Sequence, residues 1–209
     1  MDVAILQTSV AAWGRREMTA SSDPDLETLR RVVEGDTLAF ETLVRRHQGR
    51  ILRLSERMLG NKEAAQEATQ DVFFKAWRKA SSFRPRAKVS TWLYRIAVNH
   101  CLNLLRRRKL VQFFSFGDMA RNQGEEAQEL DPQDASPDAE RRLSDLRRWR
   151  RLREAIEELP AAQRAVLVLV RFEGLSYLDT ATALGISRNA VESRLFRAMR
   201  RLEKTPGVF

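Results

Sequence analysis

Apolar residues recur every three or four positions from Asp25 onward, and this spacing is typical of amphipathic α-helices. Glycine and capping residues divide the first half of the chain, because Gly35 is a favourable helix-ending residue and Asp36 can cap the helix that follows. No alternating strand pattern is longer than a few residues. The predicted helices of this half span residues 25–34, from the Asp36 cap to Gly60, 62–80, and from Ser90 or Thr91 to about 109.

The second half resumes helical periodicity near Arg141, and Pro160 is suited to the first position of a helix over residues 161–172. A short helix is predicted from Ser176 to Gly185, and Ser187 can cap a final helix that runs to about 204. Two short helices joined by a glycine-containing turn predict a helix-turn-helix unit. We therefore expect an all-α protein of two small helical domains, a four-helix domain and a C-terminal helix-turn-helix domain.

Between these halves, residues 117–140 contain eight acidic residues and one basic residue, together with two prolines and few apolar anchors. Such a composition predicts a flexible acidic linker. Residues 1–22 lack periodicity and are expected to form a disordered leader, in which Met18 is a candidate natural start. The expected division is a leader over 1–24, a domain over 25–109, a linker over 110–139, a domain over 140–204 and a tail over 205–209.

The 209 residues carry a formal net charge of +9, with 37 Lys and Arg against 28 Asp and Glu. Because the linker alone contributes −7, the rest of the chain carries +16, which favours a polyanionic partner. One cysteine, Cys101, excludes an intramolecular disulfide, and two histidines leave almost no basis for a His/Cys metal site. No apolar run approaches the ~18 residues of a membrane span. We expect a cytoplasmic protein without a cofactor.

The final helix presents two different faces. One face is apolar and is expected to pack on its own domain, whereas the other carries side chains that read base edges in a DNA major groove. An outward phenylalanine among arginines also suits a contact with a thymine methyl group. A solvated basic face is the alternative. The candidate DNA-reading residues are Arg188, Asn189, Glu192, Ser193, Phe196, Arg197 and Arg200.

A second candidate site combines the basic loop after residue 80 with the fourth helix. Aromatic rings interleaved with cations suit melted DNA, because unpaired bases stack on rings while phosphates pair with cations. The alternative is that Trp92 and Tyr94 are core residues of an amphipathic helix. The residues are Phe83, Arg84, Arg86, Lys88, Trp92, Tyr94 and Arg95, followed by the basic run from Arg106 to Lys109.

A third candidate surface lies on the outward side of the third helix, where one phenylalanine stands among polar side chains. The pattern alone favours an ordinary solvated surface, although a lone apolar anchor in a polar rim also suits a protein interface. Its residues are Glu67, Gln70, Asp71, Phe74, Lys75 and Arg78.

These residues resemble the extracytoplasmic-function (ECF) group of sigma factors. The segments 70–77 (QDVFFKAW) and 91–99 (TWLYRIAVN) are similar to the promoter-melting domain of that family, and 156–160 (IEELP), 174–177 (GLSY), 183–187 (ALGIS) and 191–198 (VESRLFRA) are similar to its helix-turn-helix domain. The resemblance covers residues ~25–109 and ~140–204, two domains in the family's order.

The resemblance implies a role for each surface. The third helix would dock on the coiled-coil clamp helices of the largest polymerase subunit. The loop at 82–88 and Asn99 would capture a flipped base of the −10 element, and the last helix would read the −35 element. Arg194 fits a phosphate contact or a helix-packing role. The linker would thread toward the polymerase active centre, and an anti-sigma factor, commonly membrane-bound, would be a further partner.

One position departs from the family pattern, because Glu192 stands where many members carry Arg or Lys. Arginine favours guanine, whereas glutamate accepts a hydrogen bond from cytosine N4, so a shifted preference at one −35 base pair is expected. Thr180 and Thr182 are also more polar than the pattern.

Two other functions compete with this interpretation. A stand-alone helix-turn-helix regulator would explain the second domain and leave the aromatic-basic domain unused. A recombinase or nuclease would need a nucleophile with an oriented base, or clustered carboxylates for metal ions. Ser55, Tyr94, Tyr177 and Ser193 lack a nearby histidine in sequence, and we expect no catalytic or metal site. His47 and His100 are expected to be core or helix-face residues, and Cys101, on an apolar helix face, is expected to be a packing residue rather than a redox switch.

Overall fold

The chain folds as a set of α-helices in the computed structural model, which describes residues 23–85, 87–114 and 137–206, with side chains over 23–85, 87–111 and 146–206. Most of the predicted leader and of the predicted linker lies outside these ranges, as do Met18 and Arg86. The expected all-α fold is confirmed. The helices are α1 (Leu26–Val33), α2 (Thr37–Leu59), α3 (Lys62–Lys79), α4 (Val89–Phe114), α5 (Pro137–Glu158), α6 (Ala161–Leu167), α7 (Tyr177–Leu184) and α8 (Arg188–Glu203).

Helix boundaries follow the capping residues that the sequence offers. Asp36 accepts from the Ala39 N–H at 3.0 Å at the start of α2, and Asn61 accepts from the Ala64 N–H at 2.7 Å at the start of α3. The Ala39 N–H, followed by the Arg31 guanidinium, holds the pKa of Asp36 below its usual value. Gly60 ends α2 with φ of +70°, a conformation that glycine adopts without steric cost.

Several boundaries differ from expectation, each for a local reason. Helix α4 begins at Val89 because the Asp23 carboxylate accepts from the Val89 N–H at 2.6 Å, and it continues to Phe114 because no glycine or proline stops it earlier. Helix α5 already begins at Pro137, whose fixed φ suits a first turn. Pro160 is the extended N-cap of α6 rather than its first helical residue.

The predicted helix over 161–172 is present, but its second part is a π-helical turn from Val168 to Phe172. This turn widens the helix just before Gly174, which has φ of +70°. It places Phe172 and Glu173 toward the first half of the chain, where both make contacts with α2 or α4.

The four N-terminal helices share one core, in which Leu43, Leu54, Met58 and Leu93 are fully buried. The buried Asp25 carboxylate supports it, because His47 Nε2 lies 2.7 Å from Asp25 Oδ2 and Arg46 bonds the other carboxylate oxygen. As expected, His47 and Cys101 are packing residues. Burial raises the pKa of the Cys101 thiol to about 11.

Helices α5 to α8 form a second core around Ile156, Val166, Val191 and Leu195. The two halves are packed against each other, because Val168 and Leu169 of the π-helical turn belong to the core of the N-terminal half. Polar bonds join the halves as well. The Arg164 guanidinium donates to the Met58 carbonyl at 2.6 Å, which satisfies the last turn of α2.

No helix within the described ranges combines the length and the apolar character that crossing a bilayer demands.

Candidate nucleic-acid interface

Helix α8 is held in place by its cap and by one buried face. Ser187 accepts from the Ala190 N–H at 3.2 Å, and Gly185 ends the preceding helix with φ of +65°. Val191, Leu195 and Leu202 are buried in the second core. The turn between α7 and α8 therefore has the helix-turn-helix geometry, and the orientation of α8 is fixed by apolar packing rather than by its polar residues.

The opposite face of α8 is open to solvent. The side chain of Phe196 is 63% exposed, and the Arg200 guanidinium lies 5.8 Å from its ring centroid. Glu192 accepts a hydrogen bond from Arg188 Nε at 3.1 Å. Every residue predicted to read the −35 element is exposed except Arg194, which is half-buried; the exposed residues are Arg188, Asn189, Glu192, Ser193, Phe196, Arg197 and Arg200.

Helix α7 begins with a compact polar turn. Ser176 accepts from the Asp179 N–H at 3.0 Å, and its hydroxyl donates to the Asp179 carboxylate at 2.6 Å, so the aspartate holds the hydroxyl that caps α7. The two threonines that depart from the family pattern lie in different environments. Thr182 is exposed and donates to the Leu178 carbonyl at 2.9 Å, whereas Thr180 is fully buried.

The aromatic residues of the second candidate site occupy two different environments. Phe83 and Tyr94 are buried, with 2% and 4% exposure, so their rings belong to the core in this arrangement. Trp92 is half-buried and packs edge-on against Phe83 with ring centroids 5.3 Å apart. The charged and polar members, Arg84, Lys88, Arg95 and Asn99, are exposed. Phe83 thus supports the ring of Trp92 from inside the protein.

A cleft of about 850 Å³ lies beside Trp92. Cations and polar groups of α3, the loop and α4 line it, including Lys75, Lys79, Arg84, Arg95 and Asn99. Thr182 and Ala183 of α7 complete its wall, so both halves of the chain contribute to the cleft. The cleft therefore combines the half-buried ring of Trp92 with several cationic and polar groups.

A polar cluster links this cleft to α3. The Lys75 ammonium donates to Nδ1 of His100, and Nε2 of His100 lies 3.2 Å from the Asp71 carboxylate. Burial, followed by the Lys75 charge, lowers the pKa of His100. The sequence predicted Lys75 only as a docking residue, and the structure adds its contact with His100 of α4. A single sequence gives no sign of a pairing between residues 25 positions apart.

The outward face of α3 is exposed as predicted. Phe74 is 61% exposed with the Arg78 guanidinium 5.8 Å from its ring centroid, and Glu67, Gln70 and Asp71 surround it on the solvent side. Lys75 is half-buried because it faces His100. The face therefore presents one apolar ring within a polar rim.

Comparison with known proteins gives the same two-part division. The Sigma-70 region 2 family matches residues 43–111, and the Sigma-70 region 4 family matches residues 149–202. The ECF RNA polymerase sigma factor SigM of Mycobacterium tuberculosis (strain H37Rv) is 36% identical over 200 residues, which cover 95% of this chain and 90% of that protein. The chain belongs to the ECF group of the sigma-70 family.

Other relatives agree with this assignment. SigW of Bacillus subtilis is 31% identical to this sigma factor over 182 residues, covering 84% of this chain and 93% of SigW. The structure of CnrH in complex with the cytosolic domain of CnrY has 26% identity and a TM-score of 0.58, covering 86% of this chain and 94% of CnrH. RpoE of Bartonella quintana, in complex with the anti-sigma factor NepR, has 25% identity and a TM-score of 0.59, covering 79% and 95%. The sigma factor therefore acts in promoter-specific transcription initiation by RNA polymerase.

Proposed function

We propose that this sigma factor reads the −35 element with α8, captures and melts the −10 element with the loop at 82–88 and α4, and docks on core polymerase through α3. The exposed ring of Phe196 at the centre of a basic and polar helix face carries the proposal. An exposed phenylalanine leaves apolar surface in water unless a partner covers it. No catalytic step is assigned to the chain.

The −35 assignment follows from the two faces of α8. A major groove accepts an α-helix, and Asn189, Ser193 and Arg197 are side chains that hydrogen bond with base edges. Arg188 and Arg200 are placed to contact phosphates, and half-buried Arg194 combines packing with such a contact. Because the apolar face holds the backbone of α8, the readers are presented without a change of fold.

The −10 assignment follows from the cleft beside Trp92. Extruding a base from a duplex costs a few kcal/mol, so a pocket with cationic surroundings is needed to hold it. Asn99 offers hydrogen bonds, Trp92 offers a ring, and Arg84, Lys88 and Arg95 offer phosphate contacts. In this proposal Phe83 and Tyr94 act as buried core residues that position Trp92 and the backbone of α4.

The docking assignment concerns the coiled-coil clamp helices of the largest polymerase subunit. Phe74 supplies an apolar anchor, and Glu67, Gln70, Asp71 and Arg78 supply a polar rim around it. His100 lies beside the Asp71 carboxylate, so α4 supports the docking face as well as the cleft.

An anti-sigma factor is a proposed further partner. It is supported by the two similar solved structures, in which the sigma factors CnrH and RpoE are bound to CnrY and NepR. Core polymerase and promoter DNA complete the set of partners.

The test compares two exposed phenylalanines. Each is replaced by alanine, and the variants are assayed for core-polymerase binding, promoter binding by the assembled holoenzyme, and run-off transcription on genomic fragments. Phe74→Ala should weaken polymerase binding, whereas Phe196→Ala should leave it intact and weaken −35 recognition about tenfold or more, the scale of one lost base contact. Absence of core binding by the wild-type chain would exclude the proposal and favour a stand-alone regulator.

A further inference from the structure

His100 of α4 lies between two charged residues of α3. Its Nδ1 accepts a hydrogen bond from the Lys75 ammonium, and its Nε2 lies 3.2 Å from the Asp71 carboxylate. Burial, followed by the Lys75 charge, lowers the pKa of His100, so the ring is neutral at pH 7. A neutral ring that accepts at Nδ1 carries its proton on Nε2, and His100 therefore donates to Asp71.

Asp71 and Lys75 have the spacing of a helix-surface ion pair, yet they do not bond each other. Residues four apart on a helix are neighbours, and an acidic residue N-terminal to a lysine is the favourable order. Lys75 forms no ion pair with a carboxylate in the part of the chain whose side chains the structure describes. The His100 side chain, only 10% exposed, is held between the two groups, because each of them bonds a different ring nitrogen.

The charge of Lys75 therefore remains uncompensated at the wall of the cleft beside Trp92. Lys75, His100 and Asn99 all line this cleft. An ammonium has three donors, and its bond to neutral His100 uses one of them without cancelling the charge. Two donors and the full positive charge are left for an anion that enters the cleft.

We propose that His100 is a positioning residue, which separates Lys75 from Asp71 and thereby keeps the Lys75 ammonium ready to bind a phosphate of the melted −10 strand. Lysine binds phosphate as a point charge, and a strand whose bases stack on a ring passes its phosphates along neighbouring cations. Trp92 is such a ring in the same cleft. The inference deepens the −10 assignment and rests on it.

An acidic side chain of the polymerase is the competing partner for Lys75. A strand is favoured because every charged side chain among the described residues that line the cleft is a cation. Besides Lys75 these are Lys79, Arg84 and Arg95, and Arg107 adds a positive charge near the His100 ring. Repeated positive charge matches the repeated phosphates of a strand.

Removal of the imidazole would allow Asp71 and Lys75 to pair directly. The ammonium would then be compensated by the carboxylate, and a phosphate would have to displace that carboxylate before it could bind. His100→Ala should therefore resemble the loss of the lysine charge itself, although Lys75 is still present.

The test uses holoenzyme, with core polymerase saturated by each variant, and a labelled single strand from the −10 region of a promoter mapped by run-off transcription. Binding is measured at pH 7.5 from 50 to 200 mM salt. His100→Ala should lower the slope of log K against log salt by about 0.7, the value for one phosphate contact on a single strand, and weaken binding roughly fivefold near 0.1 M salt. Lys75→Gln should lose the same amount, and the double variant should lose no more than either.

The matched control is His100→Gln, whose amide offers both an acceptor for Lys75 and a donor for Asp71, so it should bind within about twofold of the wild type. If His100→Ala fails to fold, as judged by urea denaturation, His100→Val takes its place. Wild-type binding by the alanine variant would overturn the proposal. Equal losses for alanine and glutamine would do the same, as would losses of His100→Ala and Lys75→Gln that add in full.

Asp71→Asn separates positioning from a general loss of structure. In the His100→Ala background it removes the carboxylate that captures Lys75 and should restore most of the fivefold loss, whereas in the wild-type background it should change strand binding much less. Equal effects in the two backgrounds would overturn the proposal. A His100→Ala variant that loses core binding and retains strand binding would assign Lys75 to the polymerase instead.

Failure of this inference is distinguishable from failure of the proposed function. Run-off transcription by the wild-type holoenzyme tests the proposed function. If transcription occurs and His100→Ala holoenzyme binds the −10 strand as well as the wild type, only the positioning role of His100 is excluded.

Discussion

Tyr94 of α4 donates a 2.9 Å hydrogen bond to the carboxylate of Glu173, which follows the π-helical turn in the other half of the chain. The same carboxylate accepts from Arg57 at 3.4 Å, and the Arg57 guanidinium lies 4.6 Å from the ring centroid of Phe172. Burial, followed by the Glu173 charge, raises the pKa of Tyr94 to about 12. The phenol is therefore a donor at all physiological pH values, and it joins two parts of the sequence 79 residues apart.

Removing either partner of this bond should destabilise the packed arrangement. Tyr94→Phe and Glu173→Ala should each lower the free energy of unfolding by about 1–3 kcal/mol, because a buried polar group loses its partner. The double variant should lose less than the sum, with a coupling of about 1 kcal/mol measured by urea denaturation. Glu173→Gln, which keeps an acceptor oxygen, is the matched control. Strict additivity of the two variants would show that the bond contributes nothing.

Gly60 offers a test of the contact between the halves. A Cβ at this position would lie 2.6 Å from the Glu157 carboxyl carbon, and φ is +70°, whereas a Cβ at Gly185, with φ of +65°, would meet nothing within 4 Å. Both alanine variants should lose about 1–2 kcal/mol, because a Cβ is strained in the left-handed conformation. Gly60→Ala should lose more, since the Glu157 side chain must move. In a Glu157→Ala background the two variants should become equal, as measured by thermal unfolding; a persistent difference would exclude the clash.

Cys101 should make stability decrease in alkaline solution. Its thiol ionises near pH 9 in the unfolded chain and near pH 11 in the folded protein, because burial disfavours the thiolate. Between these values the unfolded state loses a proton that the folded state keeps, so rising pH favours unfolding. The free energy of unfolding should fall by roughly 1.4 kcal/mol for each pH unit in this window.

The measurement for Cys101 is denaturant unfolding at pH 8 to 11 for the wild type and for Cys101→Ala. Tyr94 adds a similar dependence from pH 10 to 12, so only the difference between the two proteins reports on the thiol. The alanine variant should be less stable at pH 8 and show a shallower decline. Parallel pH curves would contradict the prediction.

Ser187 should contribute to the stability of α8 through its capping hydrogen bond. Ser187→Ala removes the acceptor for the Ala190 N–H and should cost about 1 kcal/mol, whereas Ser187→Asn keeps a capping oxygen and should be close to the wild type. Equilibrium unfolding separates the two variants. Equal losses for alanine and asparagine would mean that the serine acts in another way.

Glu192 should influence base preference in two ways. It can accept from cytosine N4 directly, and it holds Arg188 by a 3.1 Å hydrogen bond on the free surface. Glu192→Arg should shift the preferred −35 base pair toward guanine and strengthen phosphate binding, as measured by selection from a randomised −35 library. Glu192→Gln is the control, because it removes the negative charge that pairs with Arg188. An unchanged preference in both variants would remove Glu192 from recognition.

Local features of the fold could be read from the sequence, because capping and periodicity act over a few residues. Asp36 and Ser187 cap the helices that they were expected to cap, and Phe74 and Phe196 face solvent as their spacing indicated. Both kinds of prediction depend on neighbours within one or two turns of a helix.

Contacts between distant residues could not be predicted. Phe83 and Tyr94 have the aromatic and basic neighbours of a DNA-binding loop, yet packing from other helices buries both. The junction of Glu173 with Arg57 and Tyr94 likewise depends on how two helical units are oriented, which no local pattern encodes. The π-helical turn that aims Glu173 gives no periodic signal either. The roles of the exposed residues stay predictions that DNA and polymerase binding will test.

The cleft wall shared by α4 and α7 limits the distance between the two proposed promoter-reading surfaces. Because α7 contacts α4 and leads directly into α8, the two proposed promoter readers belong to one packed body, whose longest described helix, α4, spans about 39 Å at 1.5 Å per residue. Elements centred near −35 and −10 are separated by about 25 base pairs, or ~85 Å of duplex at ~3.4 Å for each base pair. The packed form cannot bridge that length. If both elements are read at once, the contact between α7 and α4 has to open, and the Tyr94–Glu173 hydrogen bond is one of the contacts that oppose this opening.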